Sequence, residues 1–127
     1  VEHLQDELAS AEASRFFALA AERNGRKLVA RTFSDRDLNF IKLLAQKLTR
    51  RSGPVIALLA TTSPQPALVF AQTAGQPFDM GSLLKETVAT LGGRGGGSKD
   101  LAQGGVPNGK TLAAALKAAA EKIETKS

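Results

Sequence analysis

Two apolar runs decide the fold: Val55-Ile56-Ala57-Leu58-Leu59-Ala60-Thr61 and Ala67-Leu68-Val69-Phe70-Ala71-Gln72-Thr73, joined by Ser63-Pro64-Gln65-Pro66. Each run is too short for an ordinary helix and is bounded by turn residues, so each reads as a buried strand. The link is so short that the two strands are expected to be antiparallel. Upstream, Ser34-Asp35-Arg36-Asp37 opens a helix. Ser34 is expected to cap its free N–H groups, and Asp35 and Asp37 suit the positive end of the dipole. Leu38, Ile41, Ala45 and Leu48 line one face, Lys47, Arg50 and Arg51 sit at the negative end, and Gly53-Pro54 stops the helix. Residues 27–33 (KLVARTF) read as a further strand, and residues 2–23 as a helix ended by Asn24-Gly25. Val1, Leu4, Leu8 and Ala11 step by three and four, as in the seam of a coiled coil.

Downstream, Asp79 is placed to cap a third helix with Met80, Leu83, Leu84, Val88 and Leu91 inward, and Gly92 ends it. A glycine-rich segment follows over residues 92–105, with one more short strand expected near Leu101-Ala102-Gln103. The last helix is expected over about residues 111–124, with Leu112, Ala115, Leu116, Ala119 and Ile123 in register. The expected class is therefore α/β: a small mixed sheet flanked by helices. Residues 1–24 form the N-terminal helix, offering a coiled-coil end, and residues 25–127 the α/β domain.

The chain of 127 residues carries 17 Lys and Arg against 12 Asp and Glu, a formal charge of +5. That balance fits a nucleic-acid partner without requiring one. Cysteine is absent, which removes disulfides and thiolate metal sites and favours a reducing, cytoplasmic setting. There is no Trp or Tyr and only six Phe, so a base-stacking platform for single strands is poorly supported. No apolar run reaches the roughly 18 residues of a membrane span, and no signal peptide is visible at the N-terminus. A chain beginning with Val1 is expected to be a piece of something longer.

The segment Gly92-Gly93-Arg94-Gly95-Gly96-Gly97-Ser98-Lys99-Asp100-Leu101-Ala102-Gln103-Gly104-Gly105 is the most informative. Glycines let successive N–H groups converge on an anion and let another backbone approach closely. The preceding helix ends here with its negative pole, so a phosphate would depend on the main chain, Arg94 and Lys99. These residues resemble the signature of the DHH-associated domain found at the C-terminus of alanyl-tRNA synthetases and in long free-standing alanyl-tRNA editing proteins. The preceding DMGSLLKE helix and the order of elements are similar as well, over about residues 26–125. ALVFAQT and LLKETVATLGGRGGG lie slightly closer to the editing proteins. The DHH-type phosphoesterases share the domain, but a histidine follows their glycine motif. Here Ser98 and Lys99 follow, and His3 is the only histidine. Lys99-Asp100 also stands where the family often has a proline and an acid.

The resemblance implies a tRNA-binding accessory domain that meets the tRNA elbow, with the preceding helix in an oligomerising coiled coil. It implies tRNA, specifically tRNA-Ala, as partner, a homo-oligomer through the N-terminal helix, and no membrane. The expected contacts are Gly92, Gly93, Arg94, Gly95, Gly96, Gly97, Ser98, Lys99, Gln103, Gly104 and Gly105, with Lys110 beside them. The editing domains of the family are implied to carry a zinc site built from His and Cys. With no cysteine and His3 as the only histidine, that ligand set is missing here, so aminoacylation or editing would lie in other domains, and no cofactor or catalytic residue is expected in this chain.

A rival class is an enzyme: a phosphoesterase-related or nucleotide-binding domain. Gly104-Gly105-Val106-Pro107-Asn108-Gly109-Lys110-Thr111 does satisfy the G-x-x-x-x-G-K-[ST] pattern. A working phosphate loop needs an apolar strand before it, parallel strands beside it and a metal-holding acid. Only Leu101-Ala102-Gln103 precedes it, so the segment is expected to be a turn leading into a helix.

Overall fold

A computed structural model describes residues 2–20, 22–23, 25–50, 54–62 and 65–126. Val1, Asn24, Arg51, Gly53, Ser63 and Pro64, and the side chains of His3, Leu4 and Glu124, lie outside the described part. The order is α1 (Glu2–Leu19), β1 (Glu22–Arg23), β2 (Arg26–Phe33), α2 (Leu38–Thr49), β3 (Val55–Thr61), β4 (Ala67–Gln72), α3 (Met80–Thr90), β5 (Arg94–Gly97), β6 (Leu101–Gly105) and α4 (Leu112–Lys126). The strands form one mixed sheet in the order β1-β2-β3-β4-β6-β5. Only β2 and β3 are parallel, with α2 as their crossover; the other neighbours are antiparallel, including β3 and β4.

Residues 55–61 and 67–72 are buried throughout, while Thr73, expected to close the second run, lies half-buried just past the end of β4. Their alternation feeds two cores, because successive strand residues point to opposite faces. Ile56, Leu58, Ala60, Leu68 and Phe70 meet α3 and α4 on one face. Val55, Ala57, Leu59, Val69 and Ala71 meet α1 and α2 on the other. On α1, Ala9, Ala13 and Phe16 are buried in that second core, whereas Leu8 is 39 % exposed. The apolar positions of α1 therefore divide: one stripe packs on the sheet layer, and the stripe holding Leu8 and Ala11 faces outward.

Three local expectations are corrected. Asn24-Gly25 does not end α1, which stops at Leu19. Arg23 pairs with Arg26, so Gly25, at φ 79°, sits in the two-residue turn of a hairpin. A glycine serves both roles because it tolerates positive φ. Secondly, the N-cap of α2 is Asp37, whose carboxylate accepts from the Phe40 N–H at 2.8 Å. Ser34 lies too early because Asp35 adopts φ 60° and delays the helix. Asp79 caps α3 as expected, accepting from the Ser82 N–H at 3.1 Å.

Finally, the glycine-rich segment is not a loop with one short strand but the hairpin β5–β6, completing the sheet beyond β4. Leu101 to Gly105 pair with β4 from Ala71 to Ala67, and β5 is the outer strand. Glycine has poor intrinsic strand propensity, so this hairpin is imposed by pairing with an apolar central strand.

Candidate nucleic-acid interface

The glycine hairpin is built around the close approach of α3. A Cβ on Gly95 would stand 2.6 Å from Gly104 Cα, 2.8 Å from Gln103 O and 2.9 Å from Leu84 Cδ2. A Cβ on Gly81 of α3 would stand 2.9 Å from Gly97 O. Side chains at these points would wedge helix and strand apart. Gly92, at φ 76°, turns the chain from α3 into β5, and the Gly93 N–H donates to Val88 O at 2.8 Å.

From Gly93 to Gly105 no residue has positive φ. The expected anion nest, which needs alternating handedness, is therefore not formed along β5. The ladder explains why. Ser98 N–H donates to Leu101 O at 2.9 Å, so the alternation of antiparallel pairing commits Gly96 and Arg94 to bonds with Gln103 and Gly105. The Gly95 main chain is left turned off the sheet edge. What remains for a ligand is a ribbon almost bare of side chains: Gly97 and Gly105 are exposed, Gly96 is half-buried, and so is Gln103, which alone of the four carries a side chain.

The cations divide between the two ends of this ribbon. Arg94 is exposed at the start of β5, opposite Gly105. Lys110 is exposed at the same end of the sheet, in the turn where a Gly109 Cβ would meet Thr62 at 3.0 Å and Pro107 lies beside Gly92. Ser98 and Lys99 are exposed at the other end, in the hairpin turn. Arg94 and Lys99 are five residues apart along an extended strand, on the order of 15 Å, so they flank the ribbon rather than one anion. Between them lies Lys85 of α3, whose Cε would be 3.1 Å from a Cβ on Gly96. Sequence reasoning missed Lys85, although it stands within the DMGSLLKE helix that helped to carry the resemblance.

Beside the Arg94 end, a groove of about 480 Å³ is lined by Asp37, Leu38, Asn39, Gln65, Pro66 and Gly105. The carboxylate of Asp37 is already engaged in capping α2. The G-x-x-x-x-G-K-[ST] segment is a turn between β6 and α4, as expected. Its β6 has only antiparallel neighbours, the Lys110 N–H donates to Asn108 Oδ1 at 3.2 Å, and the Leu112 N–H to Gly109 O at 3.4 Å. Those amides are turned to the turn itself and not to a common point. Among the described residues no group of three or more His, Cys, Asp or Glu could hold a metal ion.

The DHHA1 domain family matches residues 28–125. An alanine–tRNA ligase of Pseudomonas fluorescens is 32 % identical over 120 residues, covering 91 % of this chain and 14 % of that protein. Another, from Xanthomonas axonopodis pv. citri, is 33 % identical over 119 residues with the same coverage. The chain thus spans 14 % of the length of the curated relatives it matches. The C-Ala domain of Aquifex aeolicus alanyl-tRNA synthetase shares the fold, with a TM-score of 0.72 at 23 % identity over 82 % of this chain and 98 % of that one. A pGpG-specific phosphodiesterase of Vibrio superposes with a TM-score of 0.55 at 10 % identity, over 98 % of this chain and 40 % of that one.

Proposed function

The chain belongs to the DHHA1 domain family, and on that premise we propose that it is the tRNA-binding accessory module of a longer alanyl-tRNA protein, either an alanine–tRNA ligase or a free-standing alanyl-tRNA editing protein. The observation that carries this reading is the bare glycine ribbon at the sheet edge with Arg94, Lys85 and Lys99 along it. Folded RNA is gripped through shape, phosphates and 2′-hydroxyls more than through base edges. A strand without side chains lets a sugar–phosphate surface or a flat base pair come close, and the flanking cations neutralise phosphates. The elbow of tRNA-Ala is the surface proposed to lie there, over Gly96, Gln103 and Gly105, in a cytoplasmic setting. Among the described residues no helix is long and apolar enough to cross a membrane.

Aminoacylation or hydrolytic editing is assigned to other domains of the parent protein, and this chain to no cofactor. The test is a direct binding titration with a tRNA-Ala transcript, run beside thermal melts with zinc and with ATP. Saturable, salt-sensitive RNA binding with no shift from zinc or ATP is expected. Stabilisation by ATP that is abolished in Lys110→Ala, with no RNA binding, would replace this reading by the nucleotide-binding one.

The outward stripe of α1, with Leu8 39 % exposed, is proposed as the homo-oligomer surface of the parent protein. Two heptads rarely hold a coiled coil alone, so weak self-association of this chain is expected from light scattering over a concentration series. A tight dimer that survives Leu8→Glu would place the interface elsewhere.

A further inference from the structure

Gln72 is the last residue of β4 and is 2 % exposed, a polar side chain at the end of an apolar strand. Its Nε2 donates to Phe78 O at 2.6 Å, to Lys99 O at 3.1 Å and to Asp100 Oδ1 at 3.1 Å. Its main-chain N–H donates to Asp100 O at 2.9 Å. The two residues at the tip of the glycine hairpin are therefore both held by this one residue. The grip extends to α3, because Lys99 O also accepts from the N–H of Met80, the first residue of that helix, at 2.9 Å.

The orientation of the amide is fixed by its surroundings: three acceptors face Nε2, and a flipped amide would set its oxygen against all three. Oε1, by contrast, is buried with no hydrogen-bond partner among the described residues. An unmet buried acceptor is costly, so Gln72 is a poor choice for packing alone. A methionine fills similar volume without that cost. What a methionine lacks is the donor that ties the Lys99-Asp100 tip to the Phe78 carbonyl.

We infer that Gln72 is a positioning residue for RNA binding: it fixes the hairpin tip so that Lys99 is presented to a phosphate at the end of the glycine ribbon. The inference rests on the proposed RNA contact of Lys99. Lys99 itself is exposed, and without the amide of Gln72 the tip keeps only its main-chain bonds to Met80 and residue 72, a looser hold on the lysine.

The test is a KCl titration of tRNA-Ala transcript binding by the full chain, Gln72→Met, Lys99→Ala and the double variant, with melting curves as folding control. Gln72→Met is expected to bind several-fold more weakly and to flatten the log–log salt slope by about one unit, the signature of one lost phosphate contact. In the Lys99→Ala background the same change is expected to do nothing further, since the group it positions is gone. Equal losses that add in the double variant overturn the inference, as does full affinity in folded Gln72→Met while Lys99→Ala is weakened. No effect of Lys99→Ala alone removes the underlying contact instead, so the two failures are told apart. Should Gln72→Met not fold, Asp100→Ala keeps the question open to test. Removing an acid beside bound RNA should tighten binding on charge alone, whereas loosening the tip weakens it. A tighter Asp100→Ala overturns the inference, and a weaker one upholds it.

Discussion

A single methyl group on Gly95 is expected to cost the chain about 2–3 kcal/mol, as overpacking does, while one on Gly105 leaves stability within about 0.5 kcal/mol. At Gly95 two of the three atoms that a Cβ would meet are main chain, Gly104 Cα at 2.6 Å and Gln103 O at 2.8 Å. They cannot yield unless β5 separates from β6 or Leu84 gives up its place under the hairpin. A domain of this size is stable by only about 5–15 kcal/mol, so Gly95→Ala should lower the melting temperature visibly and Gly95→Val further. At Gly105 the nearest atom is Pro66 O at 3.8 Å, ordinary contact distance. Gly105→Ala should therefore fold normally and yet bind the tRNA transcript several-fold more weakly, because the methyl stands on the exposed ribbon where RNA is proposed to lie. Melting curves and binding isotherms for the two variants check both halves. Similar melting temperatures for Gly95→Ala and the parent chain would contradict the close packing of hairpin and helix. Unchanged affinity in Gly105→Ala would move the RNA off this end of the ribbon.

The contrast between these two glycines marks where sequence reading stops. The two apolar runs, the capping by Asp79 and the inward faces of α2 and α3 were legible because burial forces a period on the chain and capping needs a particular side chain. The Asn24-Gly25 and Ser34/Asp37 positions were not settled by the same logic, since the residue types that stop a helix also make hairpins, and two capping residues stood three positions apart. The glycine segment stood out in the sequence, and its shape was misread. Positive φ and close approach both select glycine, and only the neighbours distinguish them: Gly92 is there for its φ of 76°, Gly95 for Leu84 and Gly104. Lys85 and Gln72 escaped because the roles proposed for them depend on a strand and a hairpin tip brought to them by the sheet order. Neither carries a local pattern of its own.

Arg94→Ala and Lys99→Ala together are expected to flatten the salt dependence of tRNA binding by about two units, one for each phosphate contact removed. The affinity should fall about fivefold for each, from about 1 kcal/mol per exposed charge contact. The two losses should add. The residues stand at opposite ends of β5, on the order of 15 Å apart, beyond the range at which separate sites usually couple. Had they bracketed a single anion in a closed loop, removing one would have blunted the effect of removing the other, so additivity itself reads out the extended hairpin. Both side chains are exposed, so melting temperatures should hold. Lys110→Ala is expected to act more weakly, since its turn only adjoins the Arg94 end. A folded double variant with the parent's slope and affinity would take the RNA off the glycine ribbon altogether. The next surface to test would then be the basic end of α2 at Lys47 and Arg50, where the negative pole of the helix partly offsets the positive potential that these fully charged side chains present to a phosphate.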